Sequence, residues 1–145
     1  MSYLKRYFNY LLSLPLLVIT LISAPAWSDV VVIVHPSVAE TASASDLERI
    51  FLGKAKSLPG GARVVPINLE PGNAVRDEFN TKVLNKSDSQ LKSYWSRLVF
   101  TGKAQPPQDV GSEAEMINMI KNNPNMIGYV SADNASGDVK IIASF

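Results

Sequence analysis

The chain has 145 residues, no cysteine and a formal net charge of +1. Without cysteine there are no disulfides, no thiolate metal sites and no lipid-bearing N-terminal cysteine, so an apolar core must hold the fold. The charge balance is too even to point to nucleic acid or to an anionic membrane surface.

Lys5 and Arg6 precede an apolar run from Leu11 to Ile22, interrupted by Ser13, Pro15 and Thr20. Small residues follow in Ser23-Ala24-Pro25-Ala26-Trp27-Ser28, placing Ala24 and Ala26, or Ala26 and Ser28, at the −3 and −1 positions of a cleavage site. A basic start, a short apolar stretch and small residues at those positions mark a cleavable secretory signal over residues 1–28. As a helix the apolar run rises only about 18 Å against a hydrocarbon core of about 30 Å, too short for a membrane anchor. The expected mature domain is residues 29–145, cut between Ser28 and Asp29 and free of the membrane. It carries twelve basic and thirteen acidic side chains, a net charge of −1.

Val30-Val31-Val32-Ile33-Val34 is a continuous β-branched run stopped by His35-Pro36. Such a run predicts a strand covered on both faces, as in a parallel sheet between helices. Residues 37–44 read as a loop, and Ser45 with Glu48 has the spacing of a capping box. The helix that follows buries Leu47, Ile50 and Phe51 and ends near Gly53. Val64 to Ile67 is the next strand, and Glu70-Pro71-Gly72-Asn73 breaks the chain again. Val75, Phe79 and Val83 share one face of a helix over 74–84, as Leu91, Tyr94, Trp95 and Leu98 do over 88–99. Residues 101–111 read as a connection, and Ser112 with Glu115 repeats the capping pattern before a fourth helix. Met126 to Val130 and Val139 to Ile142 complete the strands. The alternation predicts an α/β fold.

Three segments, LERIFLGKAKSLPGGARVVPINLEPGNAVRDEF, YWSRLVFTGKAQPP and GSEAEMINMIKNNPNMIGYVS, follow one another in an order that resembles the phosphate-type periplasmic solute-binding proteins of ABC transporters. The resemblance runs from about residue 30 to residue 142. It implies a lobe of the type II periplasmic binding protein fold, with a mixed sheet flanked by helices, and a location in the periplasm. In that family the ligand sits between two lobes. Here the opening strand leads directly into segments resembling the second lobe. The expectation is therefore a single lobe that closes on a ligand with a second chain, either another copy or a membrane transporter or sensor partner.

The resemblance also implies a ligand segment. The family places an arginine after the strand and Ser-Gly-Thr at a helix N-terminus. Alignment on Arg76 and Phe79 puts Asn73, Ala74 and Val75 at Ser-Gly-Thr, and Asn68 or Leu69 at the arginine. Both hydroxyl donors and the arginine are replaced, at on the order of 1–3 kcal/mol per lost donor to a buried anion. The candidate site is thus Gly72, Asn73, Ala74, Val75 and Arg76, where backbone N–H groups and the helix dipole hold phosphate or another small oxyanion and the Arg76 side chain adds a charge-assisted hydrogen bond. The bland alternative is that Asn73 caps the helix, Gly72 turns the chain and Arg76 pairs with a carboxylate such as Asp77. A rival role is a ligand-free interaction module that docks on a membrane sensor or transporter component.

Elsewhere the chemistry is sparse. His35 is the single histidine, so no transition-metal site is expected. No catalytic triad, P-loop or dinucleotide motif is present, which argues against an enzyme and against a cofactor. Asp77/Glu78 and Glu113/Glu115 lie at helix starts as dipole support. Tyr94 and Trp95 are expected in the core, and Lys54, Lys56 and Arg63 read as solvated charges flanking a turn.

Overall fold

The computed structural model describes residues 29–145. The secretory signal over 1–28 and its cleavage site lie outside the described residues. Five strands, β1 (Val30–Val34), β2 (Val65–Leu69), β3 (Gln108–Val110), β4 (Met126–Ser131) and β5 (Lys140–Ser144), form one sheet in the order β3-β2-β4-β1-β5. Helices α1 (Ala44–Phe51), α2 (Ala74–Phe79), α3 (Asp88–Phe100) and α4 (Glu113–Asn122) flank it. The fold is α/β with a mixed sheet, as expected.

Every residue of β1 is buried, as its unbroken apolar run requires. Its neighbours are not parallel, however: β1 runs antiparallel to both β4 and β5, while β2 is parallel to β4 and to β3. Burial on both faces follows from the central position and the helices above and below, whatever the strand direction. β4 shows how the two faces differ. Successive residues of a strand point to opposite sides, and Gly128 meets α4 while the Tyr129 ring meets α1 and α2. A Cβ on Gly128 would lie 2.6 Å from Met116 Sδ and 3.0 Å from Ile120 Cδ1, so only glycine lets α4 settle there. On the other face Tyr129 stacks on Phe79 at 3.9 Å between centroids, and Phe51 closes the cluster edge-on to Phe79 at 4.7 Å.

Element boundaries obey local hydrogen bonding and correct four expectations. The cap of α1 is Ser43, not Ser45: Ser43 Oγ accepts from the Asp46 N–H at 3.2 Å, and Asp46 Oδ2 accepts from the Ser43 N–H at 2.9 Å. Aspartate reaches back as well as glutamate, so the box sits two residues earlier. The Ser43 hydroxyl also donates to Asp46 Oδ2 at 2.6 Å, and this bond, with the one from the Ser43 N–H, holds the Asp46 carboxyl below its ordinary pKa. At α4, Ser112 caps Glu115 N–H, but the Glu115 carboxylate turns to the Gly111 N–H instead of completing the box. The expected helix over 74–84 is α2 followed by a π-helical turn, Asn80–Leu84. The connection over 101–111 contains β3, too short for any periodicity to announce.

Candidate functional site

The candidate segment lies where β2 ends. Glu70 is tied to β3 by its N–H to Val110 O at 3.0 Å, and the Asn73 N–H returns to Glu70 O at 3.2 Å. Pro71 and Gly72 are the corners of this turn, and Gly72 has φ +88°. Proline first and a positive-φ glycine second are the residues a type II turn demands. Gly72 therefore has a turn to make, whether or not a ligand approaches. Asn73 then caps α2 with Oδ1 accepting from the Val75 N–H at 2.9 Å. In an α-helix the first N–H groups have no partner inside the helix. With Val75 taken, Ala74 and Arg76 keep the backbone donors that α2 itself does not use.

The Arg76 side chain is not free. Nη1 donates to Leu69 O at 2.7 Å and to Asp109 Oδ1 at 2.9 Å, while Nη2 lies 3.4 Å from Asp88 Oδ1. Its partners are therefore Asp109 and Asp88, not the neighbouring Asp77. The guanidinium joins the start of α2 to the ends of β2 and β3 and to the start of α3. Two carboxylates offset its one charge, so it presents no uncompensated cation to an anion.

Beside Arg76 lies an open cleft of about 330 Å³ whose polar lining includes Asn68, Arg76, Asn80, Asp88, Lys92 and Asp109. Two cations and two carboxylates leave it formally neutral. Asn68, aligned with the family arginine, does reach this cleft, and the Tyr129 hydroxyl donates to its Oδ1 at 3.3 Å. The same hydroxyl accepts the Leu69 N–H at 3.3 Å, and burial pushes the phenol pKa well above its ordinary value. Asn80 is 3% exposed, with its Nδ2 unpartnered, as is Arg76 Nε.

The sequence brought Gly72 to Arg76 forward but missed Asn80, Asp88 and Asp109. Asp88 and Asp109 arrive from α3 and β3, and no spacing in the chain announces that pairing. Asn80 is the first residue of the π-helical turn, a local widening that often accompanies functional positions. It reads as an ordinary polar residue in the helical pattern.

The remaining expectations divide. Tyr94 and Trp95 do pack against the core, and the Tyr94 hydroxyl donates to Leu52 O at 2.7 Å. Burial raises that phenol's pKa also. His35 Nδ1 pairs locally with Ser37. Glu113 does more than support a dipole: its carboxylate accepts from the Ser131 N–H at 2.7 Å and from Asn134 Nδ2 at 3.1 Å, fastening the end of β4. Among the described residues no cluster of metal-ligating side chains occurs, and no helix is long and apolar enough to cross a membrane.

In sequence, neither a family model nor a curated protein matches the chain. Solved structures do. An ABC-type phosphate transport receptor from Vibrio cholerae superposes with a TM-score of 0.61 at 15% identity, over 79% of this chain and 46% of that one. A Clostridium perfringens protein, assigned as a phosphate ABC transporter substrate-binding protein and solved with bound phosphate, gives 0.62 at 17% over 79% and 45%. PstS from Borrelia burgdorferi gives 0.59 at 18% over 80% and 47%. The chain has the fold of the phosphate-type solute-binding proteins. It spans less than half the length of each of these relatives. The start of α2 lies beyond the carboxyl end of β2, which runs parallel to β3 and β4. These structural relatives are binding proteins and not enzymes.

Proposed function

We propose that residues 1–28 export the chain and that residues 29–145 act in the periplasm as a single solute-binding lobe for phosphate or a similar small oxyanion. The observation that carries this reading is the likeness of the fold to phosphate-binding proteins, joined to the two backbone donors at the start of α2. In this reading Gly72 and Asn73 shape the turn, Ala74 and Arg76 supply N–H groups, and Val75 completes the first helical turn. The helix dipole adds a partial positive charge at the same end.

The lobe binds weakly by itself. Backbone donors replace hydroxyls, and Asp88 and Asp109 already neutralise Arg76. Closure by a second chain, a further copy or a transporter component, would exclude water and strengthen each hydrogen bond. The chain does no chemistry on its solute; capture and delivery are its role.

Calorimetry of the purified chain with inorganic phosphate and with sulfate tests this. Heat that saturates in the millimolar range, with the Ala74 and Arg76 amides shifting in the corresponding nuclear magnetic resonance titration, is the expected result. No heat and no shift of those amides at several times that concentration would sink the proposal for the isolated chain.

A further inference from the structure

A second cavity, larger than the cleft beside Arg76, adjoins it. It runs along the first half of β2, from Val64 to Ile67, a groove of about 720 Å³ within the range of small-molecule sites, and it shares Trp95, Pro106 and Pro107 with the cleft beside Arg76. Val64, Val65, Ile67, Trp95 and Met126 give it an apolar lining. Lys56, Arg63 and Lys103 line it too, and no acidic side chain does. None of the three cations has an ion-pair partner among the described residues. The domain as a whole has more acidic than basic groups over residues 29–145. Three unpaired charges of one sign around one apolar floor are therefore a local departure from the surface, not its average.

The sheet explains why the groove is open. β3 pairs only with Ile67–Leu69, so Val65 and Pro66 have no neighbour on that edge. The Val65 N–H faces β4, donating to Asn125 O, and the Glu70 N–H faces β3, donating to Val110 O. Backbone groups along a strand alternate in direction, so Pro66 faces the open edge, and proline has no N–H to offer. An extended peptide cannot add there as a strand, because its first pairing position lacks a donor. The occupant must be held by side chains, as a compact molecule is. Val65, 50% exposed, is the apolar surface left for it.

We infer that this groove binds a small amphiphilic anion, a carboxylate carried on an apolar body, the body lying on Val65 and Trp95 and the carboxylate among Lys56, Arg63 and Lys103. Its chemistry differs from that of the α2 start, where an inorganic oxyanion needs backbone donors and no apolar floor. The groove lines the first half of β2 and the α2 start follows the strand's last residue, so separate amides report on each.

The test is a titration of the isotope-labelled purified chain with octanoate, 1-octanol and inorganic phosphate, followed by backbone amide shifts. Octanoate is expected to give saturable shifts at Val64, Val65, Lys103, Ala104 and Gln108, and octanol to bind about tenfold more weakly. Removing each exposed charge singly, as K56Q, R63Q or K103Q, should weaken octanoate about two- to fivefold. The variant lacking all three should lose about twentyfold or more. V65E puts a carboxylate on the floor at an exposed position and should abolish the shifts without unfolding the chain. Octanol binding as tightly as octanoate, an unchanged affinity in the triple variant, or shifts confined to the exposed Phe100 end of α3 would each overturn the inference. Phosphate that displaces octanoate would overturn it as well, whereas phosphate that moves only the Ala74 and Arg76 amides supports two separate sites.

Discussion

Replacing Arg76 by methionine separates the two roles open to this residue, strut and ligand. Methionine keeps the apolar stem and removes the charge and the donors. The lost bond to Leu69 O at 2.7 Å comes from a side chain only 12% exposed and carries the larger share, about 1.5–2 kcal/mol for a charge-assisted bond. The bond to Asp109 is worth under about 1 kcal/mol, because that carboxylate is 44% exposed and solvent screens it. The 3.4 Å approach to Asp88 adds little. Against these stands the buried, unpartnered Nε, whose removal returns about 1 kcal/mol. The net expected loss is about 0.5–2 kcal/mol, or roughly 2–8 °C in Tm for a domain of this size. Urea unfolding followed by circular dichroism, with an unchanged m-value, measures it. A loss below about 0.5 kcal/mol would refute the strut assignment. In the same variant the phosphate affinity should change less than about threefold, since the backbone N–H survives the substitution; loss of all phosphate heat would show that the side chain is the ligand.

Three further outcomes follow from the packing. Gly128→Ala pushes a methyl against Met116 Sδ and should cost about 1–3 kcal/mol by overpacking, read in the same urea assay; a neutral result would mean that α4 shifts freely. Ser87→Ala removes the cap whose Oγ accepts from the Gln90 N–H and should cost about 1 kcal/mol, with fraying of α3 visible in amide exchange. The Tyr129 phenol has a folded pKa raised by burial above the 10.0 of an exposed tyrosine. A raised pKa gives stability that is whole below pH 10.0 and falls as pH climbs past it. Alkaline unfolding should therefore begin above that pH in the wild type and weaken in Tyr129→Phe, and identical pH profiles would contradict it.

Much of this protein was readable in the chain because much of it is local. β1 had to be buried on both faces, since five apolar β-branched residues in a row leave no polar side to show water. Pro71 and Gly72 announced their turn, and Asn73 its cap, because a turn type and a free N–H make demands that few residues meet. The order of the elements apart from β3, and with it the likeness to phosphate-binding proteins, also lay in the sequence. Tertiary structure alone decided the rest. The direction of the strands beside β1 depends on which elements meet across the sheet, and hydrophobicity carries no sign for it. Arg76 finds Asp88 and Asp109 instead of Asp77 because β3 and the start of α3 arrive at the end of β2, positions set by packing and not by spacing. The basic groove appeared for the same reason: Lys56, Arg63 and Lys103 are ordinary solvated charges in the chain, and only a strand too short to cover Val65 and Pro66 brings them round one apolar floor.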